Sequence, residues 1–107
     1  MNCVEIITLR SLRKDDWQLV DELLRQVFKH NESRLPESIR VYRQPNTETD
    51  LSIHIHWEVE SQKPGESPLS QQLCRALKER GLLAHSIWIE KYRQDAVEVS
   101  PAGISDI

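Results

Sequence analysis

Residues 51–60 alternate between two kinds of side chain without a break, in the order Leu-Ser-Ile-His-Ile-His-Trp-Glu-Val-Glu. Successive side chains of a β-strand point to opposite faces of the sheet, so this stretch predicts a strand with one apolar and one polar face. The apolar face requires a core to pack against. The polar face carries His54, His56 and Glu58, and it is where we expect function to lie.

Length and charge exclude several classes of protein. The chain has 107 residues and a formal net charge of −3, from 14 Lys and Arg against 17 Asp and Glu. This length predicts one domain, which we place at residues 1–92, and a tail at 93–107 with a short strand at 96–99 before a disordered end. The negative charge argues against nucleic acid and anionic membranes as partners. With no apolar run long enough for a membrane span and no secretion signal, the sequence predicts a cytoplasmic protein.

Four strands and two helices account for most of the chain. Strands are predicted at 3–9, 39–44, 51–60 and 82–92, and the polar residues 45–50 connect the second and third strands as a hairpin. Asp15 is the predicted N-cap of the first helix, whose apolar residues recur at helical spacing and place Trp17 and Phe28 in the core. Cys3 and Cys74 have no paired spacing and are predicted to be small core residues.

The second helix has clear signals at both ends. Ser67 is its predicted N-cap and Pro68 occupies the first turn. Gly81 follows at the position of a left-handed C-cap. The apolar stripe that should pack on the sheet consists of Leu69, Leu73, Ala76 and Leu77.

The element order βαββαβ predicts an α+β, ferredoxin-like fold, with two helices on one face of an antiparallel sheet in the strand order 4-1-3-2. The alternation in the last three strands then selects the side chains of the uncovered face, which form our candidate ligand-binding set. His85 is expected to face the helices or the end of its strand, away from the other two histidines. The candidate set consists of Arg40, Tyr42, His54, His56, Glu58, Trp88, Glu90 and Tyr92.

Three features together resemble the dimeric α+β barrel proteins, and the antibiotic biosynthesis monooxygenase-like group in particular. They are Trp57-Glu58 near the end of the third strand, Ser67-Pro68 opening a helix, and the last strand Leu-Leu-Ala-His-Ser-Ile-Trp-Ile-Glu. The resemblance covers residues 4–92. It implies a homodimer whose sheets meet by their open faces around a cavity, where some members oxidise an aromatic substrate or degrade haem without a separate cofactor. The Asn, Trp and His set of the haem-degrading members does not map here, because Trp57 faces the helices and Asn2 precedes the first strand.

The two histidines of the third strand are compatible with three roles. His54 and His56, two residues apart on one strand, have the spacing of two ligands to one metal, but a third ligand would have to converge on them. A single histidine in an enclosed cavity suits a general base. The third role is structural, as hydrogen-bonded contacts across an interface. We predict no metal site and no cofactor.

Two functions from different classes therefore stay open. In the first, a homodimer encloses a small-molecule site and works as an oxygenase or isomerase-like enzyme, and the resemblance implies the monooxygenase-like kind. In the second, the domain is a noncatalytic interaction or regulatory module, and its open sheet face is the dimer contact. The open-face aromatic residues also suit base stacking, but the chain lacks the basic and glycine-aromatic pattern of the RNA-binding domains that use it.

Overall fold

The computed structural model describes residues 1–11, 13, 16–30, 35–59 and 65–96, without the side chains of Val27, Phe28, His30 and Glu48. Predictions that concern Asp15, Glu60, the Phe28 side chain or the strand at 96–99 beyond Ala96 lie outside this part. Six elements follow one another along the chain. They are β1 (Asn2–Ser11), α1 (Asp16–His30), β2 (Ser38–Gln44), β3 (Thr47–Glu58), α2 (Pro68–Leu77) and β4 (Gly81–Ile89).

The four strands form one antiparallel sheet in the order β2-β3-β1-β4. This order and the two helices confirm the predicted α+β, ferredoxin-like fold. β1 and β3 are the central strands, and each is hydrogen-bonded on both sides. No helix in the described part of the chain is long and apolar enough to cross a membrane.

The central strands are longer than predicted. β1 begins at Asn2, so the expectation that Asn2 precedes the first strand is wrong, and Asn2 pairs with Glu58 across the sheet. β3 begins at Thr47, and the predicted connection at 45–50 shrinks to a turn at Pro45 and Asn46. Polar residues extend the strand because its backbone still pairs with a neighbour there, Asp50 with Arg10 of β1 and Thr47 with Gln44 of β2, and this pairing outweighs their low strand propensity.

In the first turn of α1, the residue that faces the sheet is not the one predicted. Asp16 is 2 % exposed and Val20 is fully buried, whereas Trp17 is 48 % exposed, so the placement of Trp17 in the core is wrong. The carboxylate of Asp16 accepts a hydrogen bond from the Ser11 hydroxyl and lies 3.8 Å from the Arg80 guanidinium. These contacts hold position 16 toward the sheet and leave position 17 at the edge of the buried stripe.

α2 confirms its predicted start and corrects its predicted end. The Ser67 side chain accepts a hydrogen bond from the Ser70 backbone N–H, as an N-cap does. Leu69, Leu73 and Leu77 are buried, but Ala76 is exposed. The helix ends in a right-handed turn in which the Arg80 N–H donates to the Leu77 carbonyl at 2.9 Å.

Gly81 is not a left-handed C-cap, because no described glycine has a positive φ. It is the first residue of β4 and pairs with Ser11 of β1. A Cβ at Gly81 would lie 1.9 Å from the Arg10 carbonyl oxygen. Glycine is required here by the close approach of two backbones.

The core lies between the sheet and the helices. Alternate residues of β1 and β3 supply most of it, and the buried leucines of α2 complete it. Cys3 is buried, Cys74 is partly buried and both are free thiols, as predicted. Burial raises the pKa of both thiols, and nearby carboxylates add to the effect. A raised pKa lowers the fraction of each thiol that is present as the nucleophilic thiolate.

Candidate functional site

One face of the sheet, which we call the open face, lies opposite the helices. Its side chains stand in rows that cross all four strands in the order β2, β3, β1 and β4. One row consists of Ser38, His56, Val4 and Trp88. The next row consists of Arg40, His54, Ile6 and Ser86. The third row consists of Tyr42, Ser52, Thr8 and Ala84.

His54 is held in place by two neighbours. Its Nε2 lies 2.8 Å from the Ser52 hydroxyl, and its ring centroid lies 4.6 Å from that of Tyr42, with the rings tilted by 57°. Partial burial lowers the pKa of His54, and the charge of neighbouring His56 lowers it further. Both causes favour the neutral imidazole at neutral pH, which is the form that accepts a proton.

His56 and Arg40 are not held by neighbouring side chains as His54 is. They lie diagonally opposite each other on adjacent strands, since Arg40 pairs with His54 and His56 pairs with Ser38. Within the described part of the chain, neither side chain has a hydrogen-bond or ion-pair partner. Both are therefore available to a ligand or to a second copy of the chain.

Trp88 is the large apolar side chain at the β4 side of the open face. Its indole Nε1 donates to the Ser86 hydroxyl at 2.9 Å, two residues back along the strand. This bond orients the ring along β4 and satisfies its only polar atom. The residue is still 59 % exposed, so an apolar aromatic surface is left without a cover.

β1 contributes side chains to the open face that were not predicted as site residues. Val4 lies between His56 and Trp88, and Ile6 lies between His54 and Ser86. Both are partly buried and apolar. The signal was present in the sequence, because alternation within β1 places these two residues opposite the core residues Cys3 and Ile7.

Two concavities occupy opposite ends of the open face. The first, which we call the Trp88 concavity, has a volume of about 550 Å³ and includes Trp88, His56 and Arg40 in its lining. The second has a volume of about 520 Å³ and includes Tyr42, Arg10 and Leu82. Both volumes fall within the range of small-molecule pockets, roughly 300–1,000 Å³.

The predicted site residues are therefore only partly brought together. His56, Arg40, Trp88 and Glu90 line the Trp88 concavity, and Tyr42 lines the other one. His54 lines neither of these two concavities. Glu58 is at the exposed end of β3, where it contacts the N-terminal amine.

Glu90 and Tyr92 lie beyond the end of β4, which is Ile89 rather than the predicted Tyr92. Glu90 is tied to the sheet, since its carboxylate accepts a hydrogen bond from the Asn2 amide at 2.8 Å. Tyr92 is 78 % exposed and its hydroxyl donates to Gln94. Tyr92 is thus not a strand residue of the open face.

A second polar cluster lies under the sheet and was not predicted. Glu5 points into the core, where it is 1 % exposed, and its carboxylate accepts hydrogen bonds from Trp57 Nε1 at 2.7 Å and the Ser67 backbone N–H at 3.2 Å. The Ser67 hydroxyl donates to it as well, and His85 Nε2 lies 3.0 Å away. His85 therefore faces the helix side, as predicted.

Hydrogen bonds from its neighbours stabilise the charged form of Glu5. Burial raises the pKa of this carboxyl, but hydrogen bonds from Ser67, Ser70 and Trp57 lower it by more, so the net pKa is below its ordinary value. The charged form is held by donors from three elements, which makes Glu5 a structural residue. Alternation within β1 puts Glu5 on the apolar face between Cys3 and Ile7, and this was the signal that could have revealed it.

The described side chains form no group of three or more His, Cys, Asp and Glu residues that could hold a metal ion. His54 and His56 lack a converging third ligand in the part of the chain that the structure describes. His85 lies on the opposite side of the sheet, where it contacts Glu5 and is 3.8 Å from Glu66.

No protein-family sequence model matches the chain, and no curated protein sequence does. Similar folds are found among solved structures. Rv0793 from Mycobacterium tuberculosis has a TM-score of 0.58 and 13% identity, and the match covers 89% of this chain and 100% of that one. A conserved protein from Methanosarcina mazei Go1 has a TM-score of 0.60 and 13% identity, with 85% and 94% covered.

The third similar structure carries a described activity. SnoaB from Streptomyces nogalater, a cofactor-independent oxygenase solved as a point mutant, has a TM-score of 0.58 and 10% identity, and the match covers 91% of this chain and 98% of that one. At these identities the likeness concerns the fold alone. This chain is thus a small α+β protein whose fold is similar to that of these three proteins.

Proposed function

We propose that the chain is a small-molecule-binding protein that works as a homodimer, with its ligand held between two open faces. The observation that carries this proposal is the open face itself, where the exposed Trp88 and the apolar Val4 adjoin the uncommitted His56 and Arg40. A soluble protein usually covers such a mixed apolar patch with a ligand or a partner. A cytoplasmic location and a single domain at residues 1–92 stay predictions from the sequence.

The reaction that we assign is a monooxygenase-like oxidation without a resident cofactor, by analogy with the fold of SnoaB. In this scheme the ligand lies in the Trp88 concavity and His56 accepts a proton from it. Dioxygen then oxidises the ligand, with one oxygen atom entering the product and the other leaving as water. His56 is the better candidate for that role because it lines the concavity, whereas His54 is engaged by Ser52 and Tyr42. A base must lie within hydrogen-bond reach of the proton it takes.

A noncatalytic module is the second candidate, and one observation favours it. Tyr42 and His54 already pack ring against ring on the open face. If the same kind of packing continues between two copies, side chains interdigitate and fill the space that a ligand would need. The open face is then a dimer contact only.

A ligand screen by thermal shift distinguishes these two candidates. The test compares wild type with the double variant His54→Ala/His56→Ala and with a matched double variant on the outer face of α2, Gln71→Ala/Arg75→Ala. A ligand of the open face stabilises the wild type and the α2 variant but not the histidine variant, because only binding to the folded state raises the melting temperature. Compounds that bind are then tested for oxygen consumption with an oxygen electrode.

Each outcome has a clear meaning. Binding that depends on the histidines supports the small-molecule site, and oxygen uptake with the same compound supports the oxygenase. If a compound binds but neither oxygen uptake nor chemical change of the compound is seen, the oxygenase activity is contradicted. The proposed binding site is still supported. A broad screen in which no compound stabilises the wild type contradicts the proposed function and leaves the interaction module.

A further inference from the structure

This inference rests on the proposed function and narrows it to one class of ligand. We propose that the Trp88 concavity binds a planar aromatic monocarboxylate as its anion, with the ring on Val4 and Trp88 and the carboxylate at His56 and Arg40. The proposal comes from the division of the open face into two halves of different chemistry. The row that crosses the concavity, Ser38, His56, Val4 and Trp88, is polar at its β2 and β3 end and apolar at its β1 and β4 end.

The apolar half consists of the β1 and β4 side chains. Val4 and Trp88 are opposite each other on these adjacent strands. The Trp88 indole is held along β4 by Ser86, so its N–H is already satisfied and its exposed surface is apolar. Aromatic rings stack on such a surface, whereas a hydroxyl or an anionic group gains nothing there.

The polar half consists of the β2 and β3 side chains. Arg40 is exposed, His56 is partly buried, and neither has a partner among the described residues. A guanidinium binds a carboxylate through two parallel hydrogen bonds, and one imidazole N–H adds a third donor while the other ring nitrogen stays available to accept a proton. The ligand group that matches both side chains is a carboxylate.

The distance between the two halves sets the size of the ligand. His56, Val4 and Trp88 lie on three consecutive strands of one row. Neighbouring strands are about 4.8 Å apart, so His56 and Trp88 are separated by roughly 10 Å across the row. This length fits one or two fused aromatic rings with a carboxylate at one end. A concavity of about 550 Å³ has room for such a molecule.

The rim of the concavity limits the ligand to one negative charge. Two carboxylates, Glu37 and Glu90, also line the concavity. Arg93, the other cation there, already pairs with Asp95 at 2.9 Å. A second acidic group on the ligand would meet these carboxylates without a free cation to balance it. Dicarboxylates and phosphate esters should therefore bind less well than monocarboxylates.

Calorimetric titration of the full chain with three probes tests the proposal. The probes are naphthoate, its uncharged methyl ester and a naphthalene dicarboxylate. We expect naphthoate to bind about tenfold more tightly than either of the others, since only it satisfies Arg40 and avoids the rim carboxylates. Arg40→Met should weaken naphthoate binding by about tenfold and leave ester binding unchanged, and Arg40→Lys should restore part of the loss.

The matched control is Arg43→Met, which removes the same charge from the same strand. Arg43 pairs with Leu51 and lines the other concavity, so this variant should bind naphthoate as the wild type does. Thermal melts of all variants verify folding. Equal binding of ester and acid, or equal losses in the two methionine variants, would overturn the monocarboxylate assignment, as would no binding of any probe. A different result contradicts the proposed function itself: a wider ligand screen in which no compound binds the wild type.

Discussion

At the scale of single residues, Glu5 is the side chain on which the most structure depends. It is a carboxylate in the apolar face of β1, and it takes hydrogen bonds from β3 through Trp57 and from the N-cap of α2 through Ser67. Its contact with His85 adds β4. One buried charge thus joins four elements, and the charge is tolerated because every neighbour presents a donor.

Replacing Glu5 by Gln should lower the free energy of unfolding by about 2–3 kcal/mol, because the uncharged amide accepts fewer hydrogen bonds and turns its own N–H groups toward other donors. Denaturant melts measure the loss. The matched control is Glu22→Gln on the exposed side of α1, where we expect a change below about 0.5 kcal/mol. Equal effects of the two substitutions would show that the hydrogen bonds to Glu5 contribute little.

His54 gives the molecule a dependence on pH. Its pKa in the folded state is lowered by burial and by His56, so the unfolded chain binds the proton more readily. The contribution of His54 to stability is complete above the ordinary histidine pKa of about 6.5 and is lost as the pH falls from there toward the folded-state pKa. His54→Gln should flatten this part of the curve of unfolding free energy against pH. A curve that keeps its slope in the variant would assign the effect to another group.

At the scale of elements, the junction between β1 and β4 depends on Gly81. Gly81→Ala should cost about 1–3 kcal/mol, since the added methyl overlaps the Arg10 carbonyl oxygen and the strands must separate. Gly65→Ala is the matched control, because a Cβ there meets no atom within 4 Å. Thermal melts compare the two. A Gly81 variant as stable as the Gly65 variant would mean that the end of β4 moves freely.

The elements also show how far the sequence predicts this fold. The alternation in β3, the leucines of α2 and the Ser67 cap are local signals, and all three were interpreted correctly. Ala76, the other predicted residue of the α2 stripe, is exposed. Trp17 and Gly81 were misplaced because their environments depend on residues distant in sequence, Arg80 for the first turn of α1 and Arg10 for the strand junction. Local spacing contains no information on such contacts.

The candidate site, like the fold, was predictable from the sequence only in part. Alternation placed His54, His56 and Trp88 on the open face, because the period of a strand does not depend on its partners. The division of this face into two concavities follows from the pairing register and from the contribution of β1. Predicting this division requires the order of the four strands and the register of their pairing. Neither can be deduced from short stretches of sequence.

At the scale of the whole molecule, two exposed features favour assembly. Trp88 is uncovered on the open face, and Leu82, at the other end of β4, is 74 % exposed. β4 is an edge strand, and its residues, Gly-Leu-Leu-Ala-His-Ser-Ile-Trp-Ile, include no Lys, Arg, Asp or Glu. The opposite edge, β2, carries Arg40 and Arg43. Charged residues protect an edge strand from pairing, and β4 lacks this protection.

A charge at the centre of the open face should prevent assembly. Ile6→Lys would place an ammonium in the middle of the proposed contact, where burying it is costly. Gln71→Lys adds the same charge on the outer face of α2 and should leave the oligomeric state unchanged. Circular dichroism of both variants separates a lost dimer from a lost fold.

The central claim, that two open faces meet around the site, is tested most directly by the mass of the wild-type chain in solution. Multi-angle light scattering at micromolar concentration should give twice the chain mass of 12.5 kDa for the wild type and for Gln71→Lys. Ile6→Lys should give the mass of a single folded chain. A wild type that elutes as a 12.5 kDa monomer, with Trp88 open to a soluble quencher of fluorescence, would contradict the account.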